Sequence, residues 1–468
     1  MRMSELSEDT YSGKMKVIGM NLFRSIGRKA RRTDLKNRKL LIPQMNKIGG
    51  HLLAATFRGF GIDAIVMETY KGLDQAKRLM SGKECFPCQV TMGDILYFMK
   101  KEKERLGAAF DPDAYVYFMP ESDGPCRFGM YNKYQRLVLD SIPRLRSLKL
   151  ASLTFEDGYA LQGMMDDESV KGFRKAGYLS VIVGDVLDRL LWRIRPYERS
   201  PGVAESFIEY AMHIMETGFE KYGPSMNLDE IVRILERIIA ESKSIIDLDI
   251  PSKPLIGVVG EIYLRSHTYA NQDIIKKLEQ YGAEVVNASI GEWINYASYD
   301  RLREAKRGLI YAIRQLSYKK LRQYLNKVIG FGLDLYYQQI RQNQIYRKVK
   351  KIIDIASDHH INELEDIVKK DDLFSFDMGT EACLSISSII KYVREGFNGV
   401  VNVYPFTCMP SIVTSAVIKP IMCQLRVPYL DAPYDGSFQP GRETALRTFM
   451  YQAYQHYKKN GTRHKKLY

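Results

Sequence analysis

The sequence predicts an α/β protein of two parallel-sheet domains with additional helices. Residues 39–67 run strand, helix, strand, and residues 255–287 do the same. Between them a short polar link, Asp247 to Lys253, carries Pro251 and is followed by Pro254. Apolar runs separated by one helix are the pattern of parallel βαβ units, whose strands are covered on both faces and so show no polar alternation. The expected divisions are a basic arm over 1–38 and an N-terminal α/β domain with a helical extension over 39–250. A C-terminal α/β domain over 251–457 follows, with a helical insertion at about 302–370, then a basic tail over 458–468.

Lys39-Leu40-Leu41-Ile42-Pro43 reads as the first strand, Gly50 to Phe60 as the helix and Ile62 to Met67 as the second strand. Gln89 to Lys103 spaces Val90, Met92, Ile95, Leu96 and Met99 as a helix does. Ala114–Met119 and Leu148–Phe155 are the next strands. Asp185–Ile194, Val203–Phe219 and Leu228–Ile246 are amphipathic helices. Beyond the link come strand Leu255–Val259, helix Asn271–Tyr281 and strand Glu284–Asn287. The insertion is rich in Lys, Arg and Tyr. Strands Gly399–Tyr404 and Val427–Leu430 complete the second sheet, and a closing helix begins near Arg442.

The 468 residues are 45% apolar, enough for a buried core. Of the formal charge of +14, most sits at the ends: residues 1–48 hold twelve Lys/Arg against four Asp/Glu, and residues 458–468 hold five and none. The body is close to neutral, which argues against a nucleic-acid groove and for solvated basic tails. No apolar run reaches membrane-spanning length, so no membrane partner is expected. The opening residues lack the order of charge, apolar run and cleavage site of a signal peptide. The expected location is cytoplasmic, where thiols stay reduced and free to act as ligands. Neither a P-loop, an H-E-x-x-H nor a G-x-S-x-G occurs, and Gly257 and Gly260 do not form G-x-G-x-x-G.

The chemistry lies with the cysteines. Cys85 and Cys88 flank Phe86-Pro87 on a turn ahead of a helix, where the helix dipole favours thiolate. Cys126 follows the third strand in Pro125-Cys126-Arg127, with Arg127 a cation beside the sulfur; Cys408 follows another strand between Phe406-Thr407 and Met409-Pro410. Ligands collect at the carboxyl edge of parallel sheets, so these turns are expected to reach one crevice. Three or four thiols from separate loops suit an iron–sulfur cluster. Tetrahedral zinc usually draws on two close cysteine pairs, and only one pair exists. Cys383 and Cys423 read as packing thiols, and adjacent His359 and His360, which point apart on a helix, do not read as ligands.

The segments ECFPC (Glu84–Cys88), GPCRFGMYNKYQR (Gly124–Arg136), GVVGEIYLRSHTYAN (Gly257–Asn271), GTEACLSI (Gly379–Ile386), NVYPFTCMP (Asn402–Pro410) and PYLDAPYDG (Pro428–Gly436) resemble the iron–sulfur subunits of the 2-hydroxyacyl-CoA dehydratase family. The likeness is nearest to the acyl-CoA dehydratase activase-related (CoA-substrate-specific enzyme activase-like) proteins and spans about residues 40–450. It implies two flavodoxin/Rossmann-like domains around a [4Fe–4S] cluster held by Cys85, Cys126 and Cys408. Cys88 departs from the pattern and is either a fourth ligand or part of a double-cubane cluster of the kind that reduces small molecules. The resemblance further implies an ATP-dependent activase as electron donor, a homologous subunit in a homo- or heterodimer, and an acyl-CoA or small-molecule substrate. Glu84, Arg127 and Glu261 are candidate catalytic residues by position. The competing readings are zinc on the same thiols, and a non-catalytic scaffold or regulatory protein whose basic tails bind an acidic partner.

Overall fold

Leu40-Leu41-Ile42 has apolar side chains on both faces, and in the computed structural model it forms the buried strand β1 (Lys39–Ile42). The structure describes residues 35, 37–122, 125–151 and 165–462. The expected basic arm lies almost wholly outside these residues, as do Gly124, the end of the strand read at 148–155, and tail residues 463–468.

Helix α1 (Lys47–Gly59) is capped by the Asn46 side chain, which accepts from Gly49 N–H at 2.7 Å. Then come β2 (Ala64–Val66), α2 (Leu73–Leu79), α3 (Phe86–Leu106), β3 (Tyr115–Phe118), α4 (Tyr131–Ser141) and β4 (Lys149–Ala151). These strands make a parallel sheet in the order β2-β1-β3-β4. A helical block follows: α5 (Asp167–Ile194), α6 (Val203–Tyr222) and α7 (Leu228–Glu241). The second half repeats the topology. Its elements are β5 (Leu255–Gly260), α8 (Ile262–Ser266), α9 (Ile274–Gln280), β6 (Glu284–Asn287), α10 (Ile290–Arg314), α11 (Tyr318–Lys350), α12 (Ile361–Lys370), α13 (Glu381–Arg394), β7 (Gly399–Pro405), α14 (Met409–Leu425), β8 (Tyr429–Tyr434) and α15 (Arg442–Asn460). Its sheet, also parallel throughout, has the order β6-β5-β7-β8. In both sheets the strand order reverses between the first and third strands, which opens a crevice at their carboxyl ends.

Four sequence expectations are corrected. Helix α3 begins at Phe86, not Gln89, because proline is tolerated in a helix's first turn, where its missing N–H has no partner to lose. The helix read from Asp185 starts eighteen residues earlier, behind an Asp166 cap that accepts from Glu168 and Ser169 N–H. The insertion begins at Ile290, where Ser289 caps α10. The last strand runs on to Tyr434 through Pro433, which an edge strand accommodates since it lacks a neighbour on one side.

The halves share their interior. Leu73, Phe86 and Val90 of the first pack with Ile256, Val258, Tyr263 and Val401 of the second. Helix α5 also ties the two: Arg193 Nη1 lies 2.6 Å from both Glu284 carboxylate oxygens, and Tyr197 donates to the same carboxylate at 2.8 Å. Among the described residues no helix is long and apolar enough to cross a membrane.

Candidate metal centre

Three of the four singled-out cysteines occupy the same local position. Cys85 is the cap residue of α3, Cys408 that of α14, and Cys126 that of a single helical turn over Arg127–Met130. An extended cap residue stands next to backbone N–H groups that have no intrahelical partner, though the Cys85 and Cys408 sulfurs make no capping hydrogen bond. The Cys126 sulfur already accepts from Phe128 N–H at 3.5 Å. Pro87 and Pro410 lie in the first turns of their helices, which fixes where each helix starts.

Arg127 holds the loops together. Its guanidinium donates to the Lys83 carbonyl at 3.1 Å, two residues before Cys85, and to the Thr407 carbonyl at 3.0 Å, immediately before Cys408. A further contact reaches Thr407 Oγ1 at 3.3 Å. One side chain thus bridges the turns of Cys85, Cys126 and Cys408. Thr407 stands at φ 63°, a left-handed conformation that a β-branched residue seldom adopts. Backbone strain of this kind gathers at functional sites.

Two carboxylates act on the thiols, Glu261 on all three and Glu381 on Cys126 and Cys408. Glu261 follows β5, and its oxygens accept from Tyr263 N–H at 3.1 Å and Leu264 N–H at 2.9 Å. Glu381, at the start of α13, accepts from Ile262 N–H at 3.3 Å. Burial pushes Glu261 up against those two bonds; burial and the Glu261 charge push Glu381 up to about 8, against the pull of Arg265. Arg265 itself donates to the Gly260, Ala288 and Ser289 carbonyls. Both carboxylates keep some exposure to solvent.

The expected stabilisation of thiolate does not occur in the protein alone. Burial and Glu261 push the Cys85 thiol up to about 11, despite Tyr131 and Arg127. Cys126, although open to solvent, goes to about 12 through desolvation by its surroundings, with Glu381 and Glu261 adding to it. Cys408 rises by burial and the same two carboxylates. In this low-dielectric recess, carboxylate charge and burial outweigh the helix termini. A cationic centre reverses that balance, since a coordinating thiol is deprotonated outright. Soft sulfur donors at three helix starts are of the type that a metal-containing group takes. Among the described residues no three His, Cys, Asp or Glu side chains are gathered closely enough to hold a metal ion.

Cys88 is placed differently. It sits inside the first turn of α3, 1% exposed, among Met92, Met119 and Tyr131. Its carbonyl accepts from Gln135 Nε2 at 3.2 Å, and its sulfur lies 3.8 Å from the same nitrogen. Burial drives its thiol well up, with Glu84 and Cys85 as its charged neighbours. Glu84 braces its own loop, accepting from Ser81 Oγ, Gly82 N–H and Gln89 Nε2. His359 and His360 lie in the segment before α12 rather than on a helix, and His359 faces Glu292 and Glu395. Cys383 is buried in α13, as a packing thiol would be, while Cys423 is exposed on α14.

Sequence reading missed Glu381 and Thr407. Glu381 carries a usable local sign: Thr380 caps α13, which puts the carboxylate in the helix's first turn. A positive φ at threonine leaves none. The fold and recess define a two-domain α/β protein with a thiol- and carboxylate-lined site at facing sheet ends. Compared with protein-family models the chain matches none, and it matches none of the curated proteins.

Proposed function

We propose that the chain is an iron–sulfur protein of the 2-hydroxyacyl-CoA dehydratase type. In this reading it takes low-potential electrons from an ATP-dependent activase and reduces or dehydrates an acyl-CoA or another small substrate. The observation that carries it is the Arg127 bridge, which brings the loops of Cys85, Cys126 and Cys408 to a recess shared with Glu261 and Glu381. Cys85, Cys126 and Cys408 would hold a [4Fe–4S] cluster, which when bound supplies single-electron transfer and a Lewis-acidic iron. Burial and Glu261 push Glu381 up, which favours its protonated form and would make it a proton donor to a bound substrate. Arg127 fixes the loop geometry. Exposed Met130, Phe406 and Met409, next to the thiol turns in sequence, give the mouth an apolar rim suited to cover by a second subunit.

Anaerobic reconstitution, with iron and sulfide counts and electron paramagnetic resonance of the reduced protein, tests the reading. Cys126→Ala and Cys408→Ala are expected to lose the cluster with the fold kept, and Cys423→Ala to retain it. Cys88→Ala separates a three-thiol site from a larger cluster by iron content. Zinc in protein purified without air, or no cluster after reconstitution, would overturn the proposal.

A further inference from the structure

Helices α10 and α11 form an antiparallel hairpin joined by Gln315-Leu316-Ser317. Its seam is fixed by Arg301 over the Phe331 ring at 4.1 Å and by Gly308, whose missing side chain makes room for the Tyr324 ring. Arg307 is tied to Asp377 and, nearer the base, Asp334 of α11 pairs with Arg174 of α5; of the half beyond Ala305 only Ala305 and Ala312 are fully buried. Large apolar side chains remain outside. Leu316 at the tip is 93% exposed and has φ 52°.

The exposed residues of α11 are not scattered. Tyr318, Leu325, Ile329, Leu333 and Tyr336 are all exposed. At 100° per residue they fall within about 80° of arc over about 27 Å of helix, in one seven-residue step interrupted by Arg322 and then steps of three and four. Counted from the same seam contacts, exposed Ile313 of α10 falls on that side as well. Spacing of this kind is the seam of a helix that expects another helix. Residues 301–333 contain nine Lys/Arg and one acid; Arg303 and Arg307 pair with Asp377, and the balance left on the hairpin is basic.

We infer that this face of the hairpin is a docking surface for an acidic amphipathic helix of a partner protein, laid along α11 to complete a three-helix bundle. Charge decides among the occupants. A second copy of this hairpin would set one strongly basic surface against another. An anionic lipid surface would meet the apolar tip, but the stripe runs back along the helix axis and contains Arg322, a geometry for a rod-shaped ligand. An acidic helix satisfies both features, burying aliphatic residues in the seam and pairing carboxylates with Lys319, beside the stripe on the same wheel, and Arg322 within it.

The test uses the full-length protein and two labelled 21-residue peptides with leucine at the same three-four spacing, one carrying Glu and the other Lys at its remaining positions. Fluorescence anisotropy is expected to show binding of the Glu peptide only, weakened at least tenfold by 0.5 M salt. Leu325→Ser/Ile329→Ser/Leu333→Ser should weaken it at least tenfold; these side chains are exposed, and circular dichroism checks the fold. Lys319→Glu/Arg322→Glu should weaken it and flatten the salt dependence. Equal binding of both peptides, or an unchanged affinity in the serine variant, overturns the inference. So does hairpin-dependent dimerisation, or co-sedimentation with phosphatidylserine vesicles in place of peptide binding.

Discussion

The Arg127 guanidinium donates to the Thr407 main-chain carbonyl at 3.0 Å across 280 residues of sequence. Its other nitrogen reaches the Lys83 carbonyl, so a planar fork spans two loops that no main-chain hydrogen bond joins. Lysine offers a point charge and cannot hold both carbonyls at once. Arg127→Lys and Arg127→Ala are therefore both expected to lower iron loading on anaerobic reconstitution. The cost in global stability should stay near 1–2 kcal/mol, because these are charge-assisted bonds at a half-exposed group. Iron per chain and the urea midpoint separate the two effects; full iron content in both variants would leave Arg127 with no organising role.

Thr407 puts its carbonyl in Arg127's reach only by standing at φ 63°. Glycine takes that conformation without steric cost, so Thr407→Gly should leave stability unchanged or raise it by about 1 kcal/mol. Thr407→Val keeps the branched β-carbon and loses the hydroxyl contact, so it should lower stability. Thermal midpoints of the three proteins decide, and a glycine variant less stable than valine would show that the side chain matters more than the strain.

A second cross-domain link carries a pH signature. Ala270 N–H donates to His267 Nδ1 at 3.0 Å, which puts the ring proton on Nε2, where it meets Thr69 Oγ1 at 2.8 Å. Thr69 in turn donates to Asp94 at 2.9 Å, and Tyr70 N–H donates to the other Asp94 oxygen. Burial raises Asp94 to about 7 and lowers His267 to about 4. The folded protein thus keeps a proton on Asp94 that the unfolded chain loses near pH 4, so this group's stability contribution is lost as pH rises towards 7. His267 has the opposite sign, its contribution being lost as pH falls from 6.5 towards 4. The two nearly cancel between pH 4 and 6.5. Asp94→Asn removes one of them, so the variant's stability relative to the parent should climb with pH by about 1.4 kcal/mol per unit from pH 4 to 7. Urea midpoints at four pH values measure the slope; a constant difference would mean that Asp94 titrates near its ordinary range.

Local pattern made the strands legible. Leu40-Leu41-Ile42 and the run from Leu255 to Gly260 are apolar on both faces, as parallel strands between helices must be. Cys126 and Cys408 follow β3 and β7 as their sequence suggests, whereas Cys85 follows the helix Leu73–Leu79 rather than a strand. What escaped depends on partners far away. Cys88 looks like its neighbour Cys85 in sequence, but the first turn of α3 rotates it towards Gln135 and the core. Glu381 acquires its role from Ile262 and Glu261, about 120 residues earlier. The acidic surroundings that raise the thiols are assembled from both sides of the helical insertion that starts at Ile290, which no short motif encodes.

Gly260 shows how tightly the strand ends constrain the recess. It stands at φ 116°, and a β-carbon there would come 2.1 Å from the Val403 carbonyl oxygen and 2.8 Å from Asn402 Oδ1. The first of these is backbone, held in register by the β5–β7 pairing and already accepting from Glu261 N–H at 2.9 Å. It cannot swing aside as a side-chain tip would. Gly260→Ala should therefore force β5 and β7 apart where Glu261 and, five residues after Val403, Cys408 leave the sheet. The expected cost is about 3 kcal/mol or more, with reduced iron loading. Gly282, at φ 90° with nothing within 4 Å of an added β-carbon, isolates the conformational part. Gly282→Ala should cost only about 1 kcal/mol and leave iron loading intact. Equal urea midpoints for the two variants would mean that β7 yields at Val403, and that the sheet edge is softer than its hydrogen bonding implies.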